Sequence, residues 1–76
     1  MTDGAAYDEK LVYMVNQIAK NFTVHGDERA VVSTLDHIQK FWDPRMRARV
    51  LAHLQKGGAG LDPVPRRVLE RLLERS

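Results

Sequence analysis

Cysteine is absent from the 76-residue sequence. That removes disulfides and thiolate metal ligands together. Apolar runs approaching the roughly 18–20 residues of a membrane span are missing too. The opening Met-Thr-Asp-Gly-Ala-Ala-Tyr-Asp-Glu is acidic and short of apolar side chains, so it does not read as a signal peptide, and residence in the cytoplasm is the default. No β-branched stretch alternates with period two, which speaks against strands. Serine is limited to Ser33 and Ser76, neither in a nucleophile motif. The three imidazoles, His25, His37 and His53, match no HExxH pattern or other familiar metal spacing. His37 and His53 fall at the edges of apolar stripes and read as boundary residues rather than ligands. No acid–base pair stands out, so the sequence offers neither an active site nor a metal centre.

What is present is a globular balance, with 43% hydrophobic and 29% charged residues. The length suits one small domain, and a single core of this size supplies only roughly 3–5 kcal/mol of net stability. A small chain without covalent staples often leans on a partner surface. Charge is split along the chain. Residues 1–43 carry four Lys/Arg against seven Asp/Glu, a net −3, and residues 44–76 carry eight against three, a net +5. A basic half suits an acidic partner or nucleic acid, although it is more commonly a solvated face.

Helical periodicity organises the rest into one domain over residues 8–76, after a flexible leader at 1–7. Leu11, Val15, Ile18 and Phe22 recur at helical spacing, widened by Met14 and Ala19, which predicts a first helix from 8 to about 22. Tyr13 falls on its opposite face, either lying exposed along its own helix or touching a partner. Gly26 breaks the pattern. A second helix follows from 27 to about 41, with Val31, Leu35, Ile38 and Trp42 as its stripe and Ala30, Thr34 and Phe41 beside it. Asp43-Pro44 is a strong helix start: Asp caps free N–H groups of the first turn, and Pro at the first position has no N–H to leave unpaired. The third helix runs to about 56, with Met46, Val50, Leu54 and Leu51 on its apolar side. Gly57-Gly58-Ala59-Gly60 stops it. This run lacks the Gly-Lys-Ser/Thr ending of a P-loop and follows no strand, so it is not read as a phosphate cradle. Leu61-Asp62-Pro63 repeats the start signal for a last helix to about 74, with Val64, Val68 and Leu72 in its stripe, Leu69 and Leu73 beside it, and Arg66, Glu70, Arg71 and Arg75 on its solvent face. The expected fold is all-α, a small bundle of four short helices joined by short loops.

The densest arginine cluster sits on the third helix. Arg45 and Arg49 share its polar side and are candidates for reaching acidic groups of a partner. Arg47 projects into the middle of the apolar arc, between Val50 and Leu51. A buried guanidinium must be paired, which leaves two readings: an internal pair with Asp43 or Asp36, or an arc open at its first turn with Arg47 anchoring a partner. The basic helices joined by short turns also invite comparison with a helix-turn-helix, so a small helical DNA-binding regulator is the alternative. Against it, Asp43 and Asp62 stand where a recognition helix would meet phosphate, and few polar side chains are placed to read bases.

His37-Ile38-Gln39-Lys40-Phe41-Trp42-Asp43-Pro44-Arg45-Met46-Arg47, followed by Gly57-Gly58-Ala59-Gly60-Leu61-Asp62-Pro63, resembles the delta subunit of NAD-dependent formate dehydrogenase. Lys10-Leu11-Val12-Tyr13-Met14-Val15-Asn16-Gln17-Ile18-Ala19 resembles that family's opening helix. The likeness spans residues 10–72 with order and spacing kept, and Val64-Pro65 departs from the pattern by its second proline. The resemblance implies a non-catalytic accessory subunit of a cytoplasmic enzyme complex. Its partner is the large (alpha) subunit, which carries molybdenum or tungsten pterin and iron–sulfur clusters, while flavin (FMN) and NAD belong to another subunit. The delta chain is associated with forming or stabilising the active complex.

Trp42 follows the stripe of the second helix and is expected in the core. Trp42→Ala should then cost about 3–5 kcal/mol, comparable to the whole stability of a chain this short. Thermal melting of the isolated variant checks this: a largely unfolded protein is expected, and an unchanged melting curve would place the ring outside the core.

Overall fold

Four amphipathic stripes in a short chain can be buried only against one another, and the chain does this with four helices. A computed structural model describes residues 2–75, with side chains from residue 6 onward. The helices are α1 (Thr2–Phe22), α2 (Asp27–Phe41), α3 (Pro44–Gln55) and α4 (Pro63–Arg75), with a 3-10 turn at Thr23–His25 between the first two. No strand occurs among the described residues, so the all-α expectation holds. None of the helices is long and apolar enough to cross a membrane. α2 packs on α1 and α4, and α3 packs on α4 and α1.

Residues expected as a leader are instead part of α1, which begins at Thr2; Met1 lies outside the described residues. Tyr7 packs against the core from this added length. An apolar stripe alone does not reveal such an extension, because Thr2, Asp3 and Gly4 carry no apolar periodicity.

The core joins Leu11, Val15 and Ala19 of α1 to Ala30, Val31, Leu35 and Ile38 of α2, Val50 and Leu54 of α3, and Val64, Val68, Leu69 and Leu72 of α4. Trp42 joins it at 4% exposure. The adjoining Phe41, expected beside the stripe, is 70% exposed. It is the last residue of α2, and the chain turns extended at Trp42 (φ −88°, ψ 132°), which carries Trp42 rather than Phe41 inward. Phe41 instead lies against the half-buried His37 one turn back, with ring centroids 4.8 Å apart.

The two Asp-Pro starts behave differently. At α3 the Asp43 carboxylate accepts a hydrogen bond from the Met46 N–H at 2.9 Å. This satisfies a first-turn donor that has no partner within the helix. At α4 the equivalent third position is Pro65, which has no N–H to give. The Asp62 carboxylate accepts no such bond among the described residues. The Asp62 N–H is held from outside instead, donating to Asn16 Oδ1 at 3.1 Å. Pro65 is buried in the core, so its ring contributes packing where it removes a donor.

Thr34 is fully buried on α2, and its hydroxyl finds no partner among the described residues. An unpaired buried hydroxyl carries a desolvation cost of roughly 1–3 kcal/mol. Thr34→Val keeps the shape and removes that cost. It is expected to raise stability by about 1 kcal/mol, read as a higher midpoint in urea with an unchanged slope. An equal or lower midpoint would mean that the hydroxyl is satisfied in solution.

Candidate functional site

Residues 57–60 follow α3 without regular structure, yet they are closely held. The end of α3 is closed by two backbone bonds: the Gly57 N–H donates to the Leu54 carbonyl and the Gly58 N–H to the His53 carbonyl, each at 3.0 Å. This is the paired pattern of a Schellman terminus, which requires positive φ just past the helix. Gly57 supplies it at φ 120°.

The four successive carbonyls of residues 57–60 then accept hydrogen bonds from three helices. From α4, Arg66 Nη2 donates to Gly57 O and Gly58 O, both at 3.0 Å. From α3, His53 Nε2 lies 2.8 Å from Ala59 O, so the proton is on Nε2. From α1, Asn16 Nδ2 donates to Gly60 O at 3.0 Å. A side chain at Gly58 is excluded twice over. Its φ is +68°, and a Cβ would sit 3.0–3.1 Å from the Arg66 guanidinium nitrogens and 3.1 Å from Leu61 Cδ1. The glycine-rich link is therefore closely packed at Gly58. Arg66, assigned to the solvent face from its position on the helix, is half-buried in this contact.

Grooves flank α3 on two sides. The larger, about 500 Å³, lies between α1 and the 57–60 loop and is lined by Asp8, Glu9, Val12, Tyr13, Asn16, His53, Ala59 and Gly60. Tyr13 stands at its edge with 65% of its surface exposed, as expected for the far face of α1. The second, about 430 Å³, lies between α3 and α4 and is lined by Pro44, Arg47, Ala48, Leu51, Gln55, Leu72 and Leu73.

The arginines of α3 separate into different roles. Arg49, expected on a free polar face, donates through Nε to Asp8 Oδ1 at 2.7 Å. Its guanidinium carbon also lies 5.4 Å from the centre of the Tyr7 ring. Arg49 therefore joins α3 to α1. Arg45 is exposed and forms no ion pair among the described residues. Arg47 is half-buried in the α3/α4 groove, and neither internal pair foreseen for it forms. Asp43 accepts its capping bond from Met46, and Asp36 pairs with Lys40 at 3.1 Å.

Sequence reasoning missed the acidic counterpart of the basic half. Glu28 of α2 accepts from Arg67 Nη2 at 2.7 Å and from Arg71 Nη2 at 2.8 Å on α4. The hydrogen bond and charge of Arg71, aided by Arg67, hold the Glu28 carboxyl below its ordinary range. Arg67 and Arg71 lie four residues apart on one helix face, which is the one local signal that a single carboxylate could serve both.

These features define a small all-α bundle pinned by one loop and open in grooves on two sides of α3. Among the described residues no group of three or more His, Cys, Asp or Glu is placed to hold a metal. The sequence profile of the NADH-dependent formate dehydrogenase delta subunit, FdsD, matches residues 10–69. The chain belongs to that family. The resemblance read from the Phe-Trp-Asp-Pro-Arg-Met-Arg string and the Gly-rich link is thereby borne out. No curated protein and no solved structure gives a significant match to the chain.

Charge reversal on α3 distinguishes its arginines. Arg49→Glu sets a carboxylate against Asp8 and should lower stability by about 1 kcal/mol, most visibly at low salt. Arg45→Glu should stay within about 0.5 kcal/mol of the parent. Thermal melts at two ionic strengths check both, and equal melting of the two variants would mean that the Arg49–Asp8 contact contributes nothing.

Proposed function

We propose that this chain is a non-catalytic accessory subunit that binds the large, molybdopterin-containing (alpha) subunit of formate dehydrogenase in the cytoplasm and supports assembly or stability of the active enzyme. The observation that carries this reading is membership of the delta-subunit family over residues 10–69. Two features of the chain support it. The sequence has no cysteine to ligate an iron–sulfur cluster, and among the described residues no group of three or more His, Cys, Asp or Glu is placed to hold a metal. In this reading the molybdenum or tungsten pterin, the clusters, FMN and NAD reside in partner subunits. The second feature is a surface with open grooves and an unpaired, half-buried arginine, a side chain enriched among interface anchors.

Nothing in the geometry favours the DNA-binding alternative. Arg49, Arg66, Arg67 and Arg71 are already committed to Asp8, to loop carbonyls and to Glu28. The decisive experiment removes the gene in the native host, purifies formate dehydrogenase with and without complementation, and measures subunit composition, metal content and formate oxidation. Loss of activity or of assembled enzyme, restored by complementation together with co-purification of the chain, is expected. An enzyme that assembles with full metal content and full activity in its absence would overturn the reading.

A further inference from the structure

Arg47 is an unusual side chain to leave without a partner. It projects into an arc whose other members are apolar, and the Asp43 carboxylate at the start of its helix caps Met46 and forms no ion pair with it. Burying a guanidinium without an acceptor is costly, whereas a wet groove leaves it solvated. Around it Pro44, Ala48, Leu51 and Leu73 form apolar walls, and among the described residues Arg47 is the one charged side chain lining the groove, with Gln55 the other polar one. Leu51 and Leu73 remain half-exposed at the edges of the core. A surface built this way has an apolar floor for contact area and one fixed cation for register. A planar guanidinium with an apolar stem matches a carboxylate through two parallel hydrogen bonds.

We infer that the groove between α3 and α4 docks an apolar segment of a formate dehydrogenase partner subunit, and that an Asp or Glu carboxylate on that segment pairs with Arg47. This rests on the accessory-subunit reading and adds to it the face and the chemistry of the contact. Charge complementarity selects the occupant. A purely apolar segment would bury Arg47 unpaired, and a basic one would meet it with like charge. The other large groove has the opposite character, with Asp8 already paired to Arg49 and Glu9 beside it.

The test uses the full chain, tagged and co-expressed with the formate dehydrogenase subunits of its host, with association measured by co-purification and by titration of the purified chain. Arg47→Met keeps the apolar reach and removes the charge, and it should weaken association on the order of 30-fold or more. Arg47→Glu should abolish it. Ala48→Trp, on an exposed position of the groove wall, should block the same docking without touching the core. Arg29→Glu makes the same charge change on an exposed position of α2, outside the groove, and should bind within about threefold of the parent. Circular dichroism confirms that each variant is helical. If the parent co-purifies and the Arg47 and Ala48 variants do so equally well, the groove assignment is overturned while the accessory reading stands. An Arg29→Glu variant as weak as Arg47→Glu would make the effect long-range charge and would also overturn it. Self-association of the parent that Ala48→Trp abolishes would give the groove to a second copy and overturn the proposed occupant. A parent chain that fails to co-purify at all would overturn the accessory reading, and this inference with it.

Discussion

Hydrogen bonds from side chains of three helices to the backbone carbonyls of residues 57–60 tie the bundle together. Four consecutive carbonyls are met by Arg66, His53 and Asn16, one side chain from each of three helices. The same Asn16 amide turns its oxygen to the Asp62 N–H at the start of α4. One short run of backbone thus fixes where α3 ends, where α4 begins and how both sit against α1. The two grooves beside α3 take their positions from this junction. The α1 groove has the loop as one wall, and the α3/α4 groove depends on the angle at which the loop delivers α4.

The apolar architecture was legible in the sequence because it is periodic. The stripes of Val31, Leu35 and Ile38 and of Val64, Val68 and Leu72 name their own buried faces, and Trp42 continues one of them inward. Asp43-Pro44 was legible because capping is local chemistry. The polar junction was not. Asn16, His53 and Arg66 have backbone partners whose approach depends on how helices far apart in sequence meet, and no spacing within one helix encodes that. Helical projection places a side chain relative to its own axis only. Arg49 points away from its helix's apolar side as expected, yet the start of α1 lies there to receive it. Treating residues 1–7 as a leader left Tyr7 out of the bundle and so hid half of that contact.

For the groove between α3 and α4, sequence reasoning singled out Arg47 with two readings open. The arc position of Arg47 was readable from 100° per residue. The choice between internal pair and open arc depends on tertiary geometry: Asp43 caps Met46 at 2.9 Å and forms no ion pair with Arg47, and Asp36 pairs with Lys40. Glu28 shows the contrasting economy on the other side of the bundle, where one carboxylate bridges Arg67 and Arg71 and fastens α2 to α4.

The unequal Asp-Pro starts bear on the order in which the chain acquires structure. α3 carries its own initiation signal, complete within four residues, and needs no distant segment to stop its first turn from fraying. α4 has a proline where that signal would deliver its bond, so its beginning is anchored by Asn16, 46 residues earlier in the chain. Closing a loop of that length costs conformational entropy before any contact repays it. The start of α4 therefore shares a long-range tether with α1, beside the local bonds of Arg66 to residues 57 and 58, that the start of α3 does without.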